Sequence, residues 1–312
     1  MFHLKDFPRA QKVLLGNSFQ QLTFEHYPLT LIVMPKRIGV VAKRGSEEIV
    51  AVARRVCDSI RNDGFSVEPE LALGKRARIP GGKPIGQMRV DLIVTIGGDG
   101  TVLKAAREMR ESDIPILGVN MGRRGYLTEV DPPEFDEALA RWSRGDFQLE
   151  KQWKVSVFRG DKLLEEGLNE ALITPSVPAK MLSLEVSLGA RKFYSARADG
   201  MIVSTPTGST AHSFSAGGPV IESSLNAFVL GFIAPLQPIH AIVVPASRTL
   251  QVKADRPSPD ANVSIDGKVC GRLRLGESLT FRKSSKNTLF VRFGDSFLER
   301  SLRRLAGEKE NV

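Results

Sequence analysis

Residues 91–101 read DLIVTIGGDGT, an apolar run that ends in a glycine turn at Gly97, Gly98, Asp99, Gly100 and Thr101. Residues 91–96 read as a buried strand and 102–109 as a helix, so the turn joins the two directly. Such a junction aims backbone N–H groups and the positive end of a helix dipole at whatever sits above it, and phosphate suits it best. The glycines allow close approach and positive φ, and Thr101 is of N-cap type. Asp99 is the unusual member. A carboxylate in a phosphate cradle repels its ligand unless a cation or a proton transfer gives it a purpose. The stretch therefore points to phosphoryl transfer, with Asp99 orienting a nucleophilic hydroxyl or engaging a metal ion. A Gly-Gly-Asp-Gly string alone is also compatible with a plain tight turn, but its position after a strand and before a helix favours the functional reading.

Upstream, residues 29–34 read as a first strand. Ser46 then opens a helix with Glu47 and Glu48 in its first turn and Ile49, Val52, Ala53, Val56 and Ile60 on one face; Gly64 stops it. A short strand at 65–68 completes a βαβ opening, which implies a parallel sheet. Residues 71–90 break the pattern. They hold Lys75, Arg76, Arg78, Lys83 and Arg89 and read as a long basic loop that either helps hold a phosphate ligand or is simply solvated. Downstream, a strand at 114–119 runs into Asn120, Met121, Gly122, Arg123, Arg124, Gly125 and Tyr126. This second turn at a strand's end belongs on the same rim as the first, where open α/β sheets bind ligands. Tyr126 there suits a planar base or a lid on the core. Residues 132–142 read as a helix with Phe135, Leu139 and Trp142 inward.

From about residue 149 short β-type runs separated by turns follow one another, the pattern of an antiparallel β-rich domain. Two segments stand apart. Asn169 and Glu170 place an amide beside a carboxylate, which together can hold the two hydroxyls of a ribose. Residues 199–220, DGMIVSTPTGSTAHSFSAGGPV, are so dense in hydroxyls and glycines that they read as a non-core segment offering N–H and hydroxyl donors to an anion or a sugar. The first 28 residues show no clean periodicity and read as an N-terminal extension. Residues 295–305 read as an amphipathic helix.

The chain has 312 residues, enough for two domains, and a net charge of +9 that suits polyanionic ligands such as nucleotides. No nucleic-acid motif accompanies that charge. No apolar run is long enough to span a bilayer, and Lys5, Asp6 and Arg9 break any signal-peptide pattern. Cys57 and Cys270 form neither a disulfide framework nor a thiolate metal site. These features predict a cytoplasmic protein with no nucleic-acid and no membrane partner.

Taken in order, the Gly97–Thr101 turn, the segment 122–129, Asn169-Glu170, the run from Asp199 through Thr205-Pro206-Thr207-Gly208-Ser209-Thr210-Ala211 to Pro219, and Asp266-Gly267 resemble the NAD kinase family. The resemblance covers roughly residues 29–300, and the Thr-Pro-Thr-Gly-Ser-Thr-Ala run is its most specific part. It implies a kinase that moves the γ-phosphate of ATP, with Mg²⁺ or another divalent cation, to the 2′-hydroxyl of the adenosine ribose of NAD. No tightly bound organic cofactor is implied. The fold implied is an α/β N-terminal domain with a parallel sheet (29–148), a β-rich, antiparallel, sandwich-like domain that holds NAD (149–285), and a C-terminal segment returning to the first domain (286–312). Homodimers or homotetramers are implied, in which a neighbouring subunit can complete the NAD site.

The resemblance also assigns residues. Asp99 is the proton acceptor, and Gly100, Thr101 and Lys104 lie along the same ligand. Asn169 and Glu170 hold a ribose, Lys180 and Arg197 make basic contacts, and Asp199 faces the nicotinamide end. Thr207, Thr210, Ala211, His212, Ser213 and Ser215 line the adenine and ribose pocket, with Tyr126 against a base and Lys268 at the periphery. The family itself is expected to supply no metal ligand. Three departures stand out: Arg124-Gly125-Tyr126 where Leu-Gly-Phe is usual, His212 where Tyr is usual, and residues 235–245, which lack the usual Pro-His and Arg-Pro pattern. A lipid or sphingoid-base kinase shares the glycine turn but requires an apolar acceptor cleft. A non-catalytic dinucleotide-binding regulator has no use for Asp99. A dehydrogenase would show a G-x-G-x-x-G opening on the first strand, which is absent.

Overall fold

The computed structural model describes residues 36–109, 113–122, 125–294 and 296–306, and a short hairpin of β1 (Leu22–Phe24) and β2 (Tyr27–Leu29). The rest of the N-terminal extension, Arg124 and, beyond Leu29, the first strand expected at 29–34 lie outside the described residues. The strand that leads into the first helix is β3 (Arg37–Ala42), buried from Ile38 onward. The sequence hides it because Arg37 and Gly39 interrupt its apolar run. The packing at that glycine is tight, since a Cβ at Gly39 would stand 3.1 Å from Met88 Sδ.

Helix α1 (Glu47–Asn62) starts after Ser46 as expected and buries Ile49, Val50, Ala53, Val56, Cys57 and Ile60. Strand β4 (Ser66–Pro69) follows, then α2 (Leu71–Ala77). The long basic loop expected at 71–90 is therefore corrected. Glu70 caps α2 by accepting the Leu73 N–H, a 3-10 turn covers Ile85–Gln87, and Lys83 is paired with Glu68 at 2.5 Å. Strand β5 (Leu92–Gly97), α3 (Asp99–Glu108), β6 (Pro115–Asn120) and α4 (Phe135–Arg144) complete the α/β part.

The β-rich part comprises β7 (Gln148–Arg159), β8 (Lys162–Gly167), β9 (Glu170–Pro175), β10 (Leu182–Leu188), β11 (Arg191–Ala198) and β12 (Gly200–Ser204). After the four-residue helix α5 (His212–Ser215) come β13 (Ala227–Ile233), β14 (Ile242–Pro245), β15 (Leu250–Ala254), β16 (Ala261–Ile265), β17 (Lys268–Leu273) and β18 (Ser278–Arg292). Helix α6 (Phe297–Ala306) closes the described chain. Among the described residues no helix is long and apolar enough to cross a membrane.

Two sheets organise these strands. A six-stranded antiparallel sheet runs β14-β13-β12-β9-β16-β17. The other runs β11-β10-β15-β18-β6-β5-β3-β4, with β7 and β8 joined through β18. Its β6, β5, β3 and β4 are mutually parallel, as the βαβ opening implies. In the β-rich part the sheets face one another across one core that takes Val155, Leu184, Val252 and Phe281 from one side and Ile173, Val203, Phe228 and Val263 from the other. That is the sandwich expected. In the α/β part the chain leaves β3 towards β4 and returns on the other flank at β5, so β3 and β5 mark the switch point of the sheet.

Strand β18 couples the halves. Its first segment pairs with β15 on one side, and its last pairs in parallel with β6; β7 runs along the other edge of both. The sequence here reads as two separate β-type runs, 278–282 and 288–293. Lys283, Ser284, Ser285 and Lys286 interrupt the apolar alternation, and the structure absorbs them as a register shift between Lys283 and Asn287 without breaking the strand.

Candidate functional site

The Gly97–Thr101 turn sits at the carboxyl end of β5. Helix α3 begins at Asp99 itself, with Gly98 in the N-cap position, so the N-cap role expected for Thr101 is corrected. Thr101 is instead in the first turn, and its N–H donates to Gly98 O at 2.9 Å. Its side chain is buried against Gly97, where a Cβ would meet Thr101 Oγ1 at 2.3 Å. Gly98 and Gly100 have nothing within 4 Å of such an atom. One glycine thus satisfies packing, and two face open space.

Asp99, at the first position of α3, reaches across to the second turn. Its Oδ2 accepts the Tyr126 N–H at 3.0 Å and its Oδ1 the Leu127 N–H at 2.8 Å. That turn is tightly wound. The Met121 N–H donates to Gly97 O, Asn120 Oδ1 accepts the Gly122 N–H, and Gly125 has φ +61° with no room for a Cβ beside Thr128 and Asn120. The two turns therefore share a rim, as read from sequence, and one carboxylate joins them.

The β-rich part supplies the opposite wall. Asp266 follows β16, and its carboxylate accepts the N–H groups of Leu168, Asn169 and Glu170 at 2.7, 2.9 and 3.2 Å. The sequence reads as one β-type run over 163–174, and this clamp divides it into β8 and β9. Asn169 and Glu170 are each 8% exposed, and their Oδ1 and Oε2 atoms are buried without a hydrogen-bond partner. Burial, with the Asp266 carboxylate close by, pushes Glu170 up to about 8, so it carries a proton at neutral pH. Burial also raises Asp266, against the three N–H bonds that lower it.

The hydroxyl-rich run is not a non-core segment. Ser204, Thr205, Thr207, Ser209, Thr210 and Ser213 are all buried. Burial is possible because most of these hydroxyls find partners: Thr205 Oγ1 donates to Leu168 O at 2.5 Å, Thr207 Oγ1 to Gln152 Oε1 at 2.8 Å, Thr210 Oγ1 to Thr207 O at 3.3 Å, and Ser209 Oγ accepts the Ile221 N–H. Gly208 lies directly on the Asn169 carbonyl, where a Cβ would be 2.1 Å away.

A cavity of about 250 Å³ opens between the two walls, lined by Asp99, Tyr126, Leu127, Asn169, Thr207, Thr210, Ala211 and Ser215. Seven of these eight are residues expected from sequence. Leu127 is new, and no side-chain signal pointed to it, because it acts through its backbone. Gln152 and Asp266 were likewise outside the expected site, and both work behind the wall. Gly100 is exposed beside Asp99. Lys104 is further along α3, paired with Glu70 at 2.8 Å. Glu170 is buried behind Asn169. Lys180, Arg197, Asp199 and His212 are exposed, Ser213 is buried, and Lys268 is exposed and 3.3 Å from Glu165; none of these six lines the cavity. Among the described residues no three His, Cys, Asp or Glu side chains gather to hold a metal ion.

Known proteins are similar to this chain in sequence and fold. Residues 38–147 match the family model of the ATP-NAD kinase N-terminal domain, and residues 168–293 that of the ATP-NAD kinase C-terminal domain. A NAD kinase of Methanothermobacter thermautotrophicus is 38% identical over 266 residues, which cover 84% of this chain and 93% of that protein. The crystal structure of an NAD kinase from Archaeoglobus fulgidus in complex with ATP is similar with a TM-score of 0.68 at 29% identity, covering 87% of this chain and 97% of the other. The yeast NADH kinase complexed with NADH has the same fold, with a TM-score of 0.78 at 18% identity over 89% of each chain.

Proposed function

The chain belongs to the NAD kinase family and is a phosphotransferase of that family, and on this premise we propose that it moves the γ-phosphate of ATP to the 2′-hydroxyl of the adenosine ribose of NAD, with Asp99 as proton acceptor. The observation that carries the reading is the convergence on one cavity of the Asp99 turn from the α/β part and the Asn169, Thr207, Thr210 and Ser215 wall from the β-rich part. The polar character of that wall speaks against a lipid acceptor.

Asp99 is suited to its role by the way it is held. Each carboxylate oxygen has two lone pairs, and one on each is taken by a backbone N–H. The carboxylate is thereby fixed in orientation and still able to accept the ribose hydroxyl and, late in the transfer, its proton. Asn169 offers its unpartnered Oδ1 to a ribose hydroxyl. Protonated Glu170 adds both a donor and an acceptor beside it. Thr207, Thr210, Ala211 and Ser215 form the wall against the adenosine. Gly98, Gly100 and the start of α3 leave open backbone for the donor's phosphates.

Mg²⁺ or another divalent cation would enter bound to ATP and neutralise charge on the phosphoryl group in transit. Among the described residues Asp99 is the one carboxylate lining the cavity, and its remaining lone pairs are assigned to the ribose hydroxyl and its proton, which leaves the cation to be carried by the donor.

We also assign residues 29–148 to the donor side, 149–285 to NAD and 286–312 to the return segment, in a cytoplasmic homodimer or homotetramer. Leu225, Leu236 and Val243, exposed at and near edge strand β14, support self-association, and the Leu236 N–H ties this patch to the Arg197 carbonyl. In an assembly Arg197 and Asp199 would meet NAD at a site completed by a neighbouring subunit. Light scattering tests the assembly, and a monomer at micromolar concentration overturns it.

The test of the reaction is a coupled assay of NADP formation from NAD and Mg-ATP. Asp99→Asn is expected to lower kcat by at least about 100-fold while NAD affinity stays within a few-fold. Unchanged turnover would remove Asp99 from the mechanism.

A further inference from the structure

Leu127 is held at both ends of its backbone. Its N–H donates to Asp99 Oδ1 at 2.8 Å, and its carbonyl accepts from Arg292 Nη1 at 3.2 Å. Arg292 is the last residue of β18, 165 residues further along the chain. The same Nη1 donates to Glu129 Oε2 at 2.9 Å, and Arg292 Nε donates to Glu150 Oε2 at 2.5 Å. Glu129 Oε1 accepts the Phe293 N–H at 2.8 Å, which closes a ring from the end of β18 through the turn and back. Arg300 of α6 joins from behind, with Nη2 2.8 Å from Glu150 Oε2. Both arginine side chains are at most 4% exposed, and those of Glu129 and Glu150 are 7% and 17% exposed.

Two guanidinium groups and two carboxylates make this cluster neutral, which is how four charges are tolerated at such burial. Burial pushes the Glu150 carboxyl up, but Arg292 and Arg300 together outweigh it and hold it below the ordinary range. A neutral cluster could be only a fastening between β7, β18 and α6. The contact with the Leu127 carbonyl is not needed for that purpose, because Arg292 already has two carboxylates. Its effect is on the turn. Of the two N–H groups that hold Asp99, one belongs to Leu127 itself and the other to its neighbour, Tyr126.

We propose that Arg292 is a positioning residue for the phosphoryl transfer: it clamps residues 127–129 from behind and so fixes the Asp99 carboxylate at the cavity wall. This rests on the reading of Asp99 as proton acceptor. The planar fork of a guanidinium reaches the Leu127 carbonyl, Glu129 and Glu150 together, and a lysine ammonium keeps the charge but not the fork. Arg300 is the internal comparison. It is as buried, and its described ion pairs are with Glu150 and Glu129.

The experiment compares wild type, Arg292→Lys, Arg300→Lys and Asp99→Asn for kcat, KM and Tm, with hydrogen exchange followed at the amides of Tyr126 and Leu127. Misplacement of a catalytic group by a fraction of an ångström is felt in turnover rather than in binding. Arg292→Lys should lower kcat about tenfold or more with KM for NAD and ATP within about threefold, and should speed exchange at both amides. Arg300→Lys, at a similar loss of Tm, should keep kcat within about twofold and leave that exchange unchanged. Equal kcat losses in the two lysine variants, or unaltered exchange at Tyr126 and Leu127 in Arg292→Lys, overturn the inference. Retained turnover in Asp99→Asn overturns the underlying reading instead, and the exchange data still decide whether Arg292 holds the turn. If Arg292→Lys does not fold, Glu129→Gln carries the test. It removes the carboxylate that holds both Arg292 and Phe293 at nearly constant shape, and the same kcat loss and faster exchange are expected.

Discussion

Glu170 shows how one buried side chain carries both fold and ligand chemistry. It lies behind Asn169, and its Oε2 has no partner among the described residues. An ionised carboxylate there would be buried close to Asp266, so the proton is retained up to about pH 8 in the folded chain, against 4.5 for a free glutamate. The unfolded chain therefore loses this proton first as pH rises. The stability it represents is fully present below pH 4.5 and is lost progressively as pH approaches 8. Glu170→Gln, which cannot ionise, should flatten the decline of Tm across that window without changing the fold. A decline of the same slope in both proteins would show that the proton is not held there. The sequence made Glu170 legible as a ribose partner but not as a neutral acid. That property comes first from burial and then from Asp266, 96 residues away, and no local pattern encodes either.

At the scale of the element, the Gly-Gly-Asp-Gly turn was legible as a strand-to-helix junction, yet its glycines are not equivalent. Gly97 is required by Thr101 and Lys43, whereas Gly98 and Gly100 border empty space. A glycine within a helix costs stability relative to alanine by about 1 kcal/mol, so keeping one at Gly100 asks for a reason outside the fold. Close approach of a phosphate is such a reason. Gly100→Ala should therefore leave Tm unchanged or higher while raising KM for ATP or NAD by about tenfold. Gly208→Ala is the opposite case: its Cβ would lie 2.1 Å from the Asn169 carbonyl oxygen, so Tm should fall along with turnover. If Gly100→Ala lowers Tm and spares KM, the turn is only a turn. The hydroxyl-rich run was misread at this same scale. Its composition says polar, and polar was taken to mean unburied; partners at Leu168, Gln152 and Ile221, none of them visible in the run itself, make the burial possible. Likewise β17 does not stand out in the sequence, because Gly271 and its charged neighbours dilute the apolar pattern, although the strand is fixed by pairing with β16.

At the scale of the molecule, a two-part chain was legible from the change of pattern near residue 149, but not how tightly the parts are joined. Strand β18 supplies Leu279 and Phe281 to the sandwich core, Phe290 to the core under α3, and Val291 to the core under α1 and α4. Lys154 adds a second tie, its ammonium buried and donating to the Ala106 carbonyl near the end of α3 at 2.5 Å. Neither core can open while β18 keeps its ladder, so the two parts should unfold together. Calorimetry should record one transition whose calorimetric and van't Hoff enthalpies agree. Phe281→Ala removes a fully buried ring from the sandwich core, a loss of about 3–5 kcal/mol. It should move that single transition downward as a whole, including the signal of Trp142, which packs in the α/β core beside Phe65. Two separated transitions, with Trp142 reporting a melting point that Phe281→Ala leaves in place, would mean that β18 links the parts without coupling them. The clamp from Arg292 to Asp99 would then be a local device, because its anchor would no longer depend on the sandwich that carries the rest of the strand.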